Sequence, residues 1–240
     1  HRDLHSFPTR RSSDLCNCSY CASKMLQPFL RQRPLKNVIE EITYLSRKKR
    51  ITDIAFYDDA LLINADKHII PILKSIIDLS LQSKFHTPNG IHACLITEEI
   101  AELLIKASFS TIRLSYEQIP VFEHGAKARI EDPNLERAIK YLNEAGKKFN
   151  IKPKIETYVK IGLPEQTTEQ IVEGFIFVNK LGSYIKIADY SPVPGTSDFE
   201  TIMEKYKINS KEPLYHNNTA LQYFTRSEER RVGKECRSRW

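Results

Sequence analysis

Between Ile51 and Ala188 the chain alternates short β-branched and aromatic runs with longer amphipathic ones, and no other feature constrains the fold as much. Ile51 to Tyr57, Phe85 to Asn89, Ser110 to Tyr116, Pro153 to Ile161 and Tyr184 to Ala188 read as strands. Between them lie helical patterns. Leu35, Val38, Ile39, Ile42 and Leu45 share one helical face, with basic residues from Arg47 to Arg50 at its end. Ile69, Ile70, Leu73, Ile76 and Ile77 share another. Thr97 caps a third helix, with Glu98 and Glu99 in its first turn. Asp132-Pro133 opens a fourth, with Leu135, Ala138, Ile139 and Leu142 inward. Thr167 and Gln170 predict a capping box for a fifth, running through Leu181, and a short helix is expected from Asp198 to Tyr206. Residues 22–33 and 118–131 read as irregular and polar, the tail to Thr225 as less regular, and Cys94 as a small core or semi-buried residue.

Such alternation favours parallel strands joined by right-handed helical crossovers. Counting elements does not separate a closed barrel from an open sheet. Either architecture gathers ligands at the carboxyl ends of its strands. Asp58, Asp59, Ser115, Glu117, Gly162 and Tyr190 all fall there, so one site built from distant segments is expected. No repeat of solenoid length is present.

The two ends of the chain carry a different signature. Residues 1–15 and 226–240 are rich in Arg and Ser and lack apolar periodicity. One DNA sequence that encodes the C-terminal segment, read as its reverse complement, translates into the N-terminal one up to Asp14, with Leu15 partly specified. Both ends are therefore expected to be adapter-derived flanks rather than native sequence. Residues 16–225 are expected to form the core domain, a piece of a longer protein. Of 36 basic and 30 acidic side chains, the flanks hold nine and five, which leaves 27 against 25 and a net charge of +2 rather than +6. The apparent basicity thus sits mostly in the flanks, and nucleic-acid binding is not expected from charge. No apolar run reaches the ~20 residues of a membrane span, so a cytoplasmic protein without a membrane partner is expected.

Three cysteines, Cys16, Cys18 and Cys21, fall within six positions, a spacing that suits a metal or redox centre better than a disulfide framework. Thiolates are soft ligands for zinc or for iron–sulfur clusters. A structural zinc on Cys16, Cys18 and Cys21, with His86 as a fourth ligand, would make the chain a non-catalytic α/β module. No second cysteine or histidine pair follows at zinc-finger spacing.

Asn17-Cys18-Ser19-Tyr20-Cys21-Ala22-Ser23 resembles the latter half of the radical SAM signature, C-x3-C-x-aromatic-C. The first cysteine of that signature would stand at position 14, where this chain has Asp14. The resemblance continues in order through Phe56-Tyr-Asp-Asp-Ala-Leu61, Phe85-His-Thr-Pro-Asn-Gly90, Thr111-Ile-Arg-Leu-Ser115, Gly162-Leu-Pro164 and Tyr190-Ser-Pro-Val-Pro-Gly-Thr196. Together these resemble strand ends of radical SAM enzymes of the cobalamin-binding-domain type.

The resemblance implies an α/β fold, a partial TIM-type (βα)6 barrel with its helices outside. It implies a [4Fe–4S] cluster on Cys18, Cys21 and a third thiolate, with S-adenosylmethionine on the remaining iron. Reductive cleavage would give a 5′-deoxyadenosyl radical for hydrogen abstraction or cobalamin-assisted group transfer. Tyr20 and Gly162 would lie near the adenine, Asp58 and Asp59 near the methionine amino group, and Ser115 and Glu117 near ribose or carboxylate. It further implies a small-molecule or peptide substrate, a flavodoxin- or ferredoxin-type electron donor and a cobalamin domain before residue 16. Methyl or methylthio transfer to RNA is a second enzymatic reading, disfavoured by the balanced charge.

Overall fold

The computed structural model describes residues 20–26, 31–58, 60–116, 131–163, 166–207, 209 and 211. The chain divides into two compact units, Arg33–Ala188 and the two ends, His1–Gln32 with Asp189–Trp240. In chain order the elements are α1 (Ser23–Leu26), α2 (Leu35–Thr43), β1 (Asp53–Ala55), α3 (Ile69–Asp78), β2 (Lys84–His92), α4 (Glu98–Lys106), β3 (Phe109–Tyr116), α5 (Pro133–Lys148), β4 (Lys154–Ile161), α6 (Thr168–Lys180), β5 (Tyr184–Asp189) and α7 (Ser197–Tyr206).

The caps form where the sequence places them. Thr97 Oγ1 accepts from Ile100 N, Asp132 accepts from Asn134 N and Leu135 N ahead of Pro133, and Thr167 with Gln170 makes the reciprocal capping box. Each satisfies backbone N–H groups that a helix start leaves without partners. Three local expectations need correction. The segment after Cys21 is not wholly irregular, since Ser23–Leu26 form one helical turn. The second strand is longer than expected, Lys84–His92, because it absorbs an irregularity described below. Cys94 is exposed, because it sits in a tight helical turn, Ala93–Leu95, that links β2 to α4 rather than on a packed face. The expected 118–131 loop lies outside the described residues but for Glu131, which leads into α5.

The strands form one five-stranded sheet in the order β1-β2-β3-β4-β5, and β1 to β4 pair in parallel. A doubly wound open sheet reverses its strand order at a switch point. This order never reverses, so each crossover winds the same way, as in a barrel. The architecture is a partial TIM-type barrel with five strands among the described residues.

Alternation along each strand separates two environments. Phe85, Ile112, Leu114, Tyr116, Ile155 and Val159 join the core that the helices cover. Phe85 and Phe109 stack there with ring centroids 5.5 Å apart, and Phe56 tilts against both. The alternate residues, among them His86, Arg113, Ser115, Glu156 and Tyr158, share the opposite, inner face, where His86 pairs with Asp53 and Arg113 with Glu156 and Tyr158 across strands.

Candidate functional site

The carboxyl ends of the strands carry the residues expected there. Asp58 follows β1 by three positions and is exposed. Its charge reaches His68, at the entrance to α3. Burial lowers the pKa of that imidazole, and the Asp58 carboxylate raises it in part. Ser115 is the penultimate residue of β3, half-buried, in register with His92 on one side and Tyr158 on the other. Gly162 follows β4 directly and is buried, with a φ of 79°. That left-handed conformation is open to glycine and strained for most other residues, so the turn explains the glycine without a ligand. Tyr190, which belongs to the other unit, follows β5 in the chain and is buried. Asp59 and Glu117 lie outside the described residues.

In the other unit, Tyr20 is half-buried in a turn and the Cys21 thiol is exposed, ahead of α1. Cys16 and Cys18 lie outside the described residues. A [4Fe–4S] cluster of the radical SAM kind needs three thiolates at fixed spacing. The sequence supplies Cys18 and Cys21 and has Asp14 in the third place. Among the described residues no group of three or more His, Cys, Asp or Glu side chains converges on a metal position. The chain as it stands therefore offers two of the three thiolates and does not complete the set. His86 is engaged elsewhere, 3.0 Å from Asp53 Oδ1, which does not favour it as a zinc ligand.

The inner face of the sheet holds a polar network that the sequence pattern does not single out. Glu156, on β4, is almost fully buried. Its carboxylate accepts from Arg113 Nε at 2.6 Å and Lys154 Nζ at 2.8 Å, and Lys186 Nζ lies 3.7 Å away. Burial alone would push this carboxyl up, but the hydrogen bonds from Lys154 and Arg113 and their charges outweigh it and hold it below the usual carboxylate range. Arg113 is pushed the other way, chiefly by its hydrogen bond to Glu156.

The network is anchored by a break in β2. Between Thr87 and Ile91 the register advances by four residues on β2 and by two on β3, so Pro88-Asn89-Gly90 bulge from the strand. The Pro88 carbonyl, turned inward by the bulge, accepts from Tyr158 Oη at 2.9 Å and Arg113 Nη1 at 3.1 Å. A proline inside a strand-like run was the available signal, since proline cannot donate to a ladder. Gly90 permits the closest approach. A Cβ there would lie 2.6 Å from Ser115 Oγ and 3.2 Å from Tyr158 Cδ2. The bulge, Ser115 and Tyr158 thus pack together on the inner face of the barrel, and the Tyr158 hydroxyl reaches down to Arg113, one pair lower on the strands.

A solved protein of similar fold is the radical S-adenosylmethionine methyltransferase TsrM from Kitasatospora setae. The likeness is one of fold, a partial TIM-type α/β barrel. The TsrM structure with cobalamin and a [4Fe–4S] cluster bound superposes with a TM-score of 0.60 at 18% identity, over 79% of this chain and 35% of that one. The structure with tryptophan substrate and a SAM analogue gives 0.61 at 18% identity, over 79% of this chain and 36% of that one. The chain spans about a third of the length of these solved chains. No protein-family model and no curated protein sequence matches the chain. Among the described residues, no helix is long and apolar enough to cross a membrane.

Proposed function

We propose that residues 16–225 are the core of a radical SAM enzyme, and that the longer protein carries a cobalamin-binding domain ahead of it. The observation that carries this reading is a conjunction. A barrel with unreversed strand order, similar to a radical SAM methyltransferase, lies C-terminal in the chain to Cys18-Ser19-Tyr20-Cys21. Either alone is weak, since C-x-x-C is common in zinc sites and the barrel serves many chemistries. When bound, the cluster and S-adenosylmethionine supply radical chemistry that no side chain provides.

The chain's own contribution is to bind, orient and exclude water. In this reading Cys18 and Cys21 are ligands, Tyr20 covers the adenine, and Asp58 and Asp59 receive the methionine amino group. Ser115 and Glu117 meet the ribose or carboxylate, and Gly162 lets backbone approach the base. The substrate is a small molecule or a peptide, the reaction hydrogen abstraction or cobalamin-assisted group transfer, the electron donor of flavodoxin or ferredoxin type, and the compartment the cytoplasm. Residues 1–15 and 226–240 are non-native, and with Asp14 at the third ligand position the chain as given is inactive.

The test restores that position. A chain carrying Asp14→Cys and Leu15→Pro is reconstituted anaerobically and assayed for iron, sulfide, zinc and its EPR spectrum. About four irons per chain and a reduced-cluster signal perturbed by S-adenosylmethionine are expected. One tightly held zinc and no iron would leave the barrel in place and overturn the enzyme reading in favour of a structural clip.

A further inference from the structure

The inner face of the sheet is far more basic than the domain that contains it. Arg113, Lys154 and Lys186, from three adjacent strands, converge on the single carboxylate of Glu156. The cluster therefore has a net charge of +2, equal to that of the whole of residues 16–225. Glu156 is buried, whereas the Arg113, Lys154 and Lys186 side chains keep 27%, 53% and 44% of their surface open. The cations thus outnumber their partner and remain reachable. Arg113 spends Nε on Glu156 and Nη1 on Pro88 O and Tyr158 Oη, and Nη2 donates to no described residue. A guanidinium held on two sides with one edge unspent is preorganised to receive an oxyanion.

We infer that this inner face holds an oxyanion site, for a carboxylate or phosphate group, formed by Arg113, Lys154 and Lys186 around Glu156. Its depth separates it from the strand-end positions expected to meet S-adenosylmethionine. Arg113 pairs with Glu156 two residues below the Ser115–Tyr158 pair, which at a strand rise of ~3.3 Å is one side-chain layer, about 7 Å. Lys154 opens β4 and lies a further layer down. An anionic group seated here belongs to the far end of a molecule whose reacting end faces the strand tips. The inference thereby deepens the radical SAM reading by naming a substrate class, an acid or phosphate ester with its charge at least one layer from the reacting atom. It rests on that reading for the owner of the anion, and on the charge geometry alone for the binding.

The experiment uses the full chain without iron. Inorganic phosphate and glutarate are titrated separately by calorimetry at constant ionic strength set with chloride. Saturable binding of at least one is expected, and which one binds distinguishes phosphate-bearing from carboxylate-bearing substrates. The Lys154→Met/Lys186→Met pair, both half-exposed and outside the apolar core, should weaken binding about fivefold. Glu156→Gln removes the competing carboxylate and should tighten binding about threefold, a gain that a merely structural ion pair would not give. No saturable binding of either anion, or equal affinity in all three proteins, overturns the inference. Failure of cluster reconstitution would sink the radical SAM reading and leave this measurement intact.

Discussion

Gly90→Ala is expected to destabilise the barrel through a contact that can be relieved at a named second position. Gly90 needs no left-handed backbone, so only space demands the glycine. The added methyl would sit 2.6 Å from Ser115 Oγ, 3.2 Å from Ser115 N and 3.2 Å from Tyr158 Cδ2. The hydroxyl can rotate away. The other two cannot easily yield, because Ser115 N belongs to β3 and Tyr158 is pinned through its hydroxyl to Pro88 O at 2.9 Å. Overpacking of this kind costs about 1–3 kcal/mol, offset by about 0.4–1 kcal/mol from the stiffer unfolded chain. The net loss should be about 1–2 kcal/mol. Ser115→Ala removes the nearest atom, so in the double variant roughly half of that loss should return. Urea unfolding of the four proteins, with a common m-value, closes the cycle. A Gly90→Ala loss below about 0.5 kcal/mol, or strict additivity with Ser115→Ala, would refute the packed layer of bulge, serine and tyrosine.

Glu156 should make the fold acid-sensitive. Its folded pKa lies below the unfolded value of about 4.3, so its stabilisation is full above that pH and is lost as pH falls through the folded value. The stability gap between wild type and Glu156→Gln should therefore narrow below about pH 4.3, and a gap unchanged from pH 7 to pH 3 would refute it. Tyr190 Oη and Asp198 Oδ2 are both buried without a hydrogen-bond partner among the described residues, and burial first, then Asp198, pushes the Tyr190 phenol well up. Tyr190→Phe removes one orphaned group and should be neutral or stabilising by up to about 1 kcal/mol in thermal unfolding. A loss larger than that would mean the hydroxyl is paired.

What the sequence made legible was local. Asp132 before Pro133, and Thr167 three before Gln170, set helix starts because cap chemistry involves only neighbouring residues. The strand runs announced themselves by the apolar half of each alternation, Ile112 and Leu114 or Ile155 and Val159. The polar half was ambiguous. In a sheet covered by helices on one face, a charged residue at every second position fits solvent as well as a barrel interior. Arg113 and Glu156 are 43 residues apart, and nothing in either segment says that they meet. Their pairing follows from strand order and register, which are tertiary facts. Pro88-Asn89-Gly90 stand in the sequence as part of a resemblance, but their physical role, a bulge that turns a carbonyl inward to Arg113 and Tyr158, needs three strands together. Recognition of motifs therefore points to the rim, where Asp58, Ser115 and Gly162 lie. The Arg113–Glu156 network lies one residue pair further down the strands, and its partners are set by register rather than by any local pattern, so it becomes visible only once the sheet is assembled.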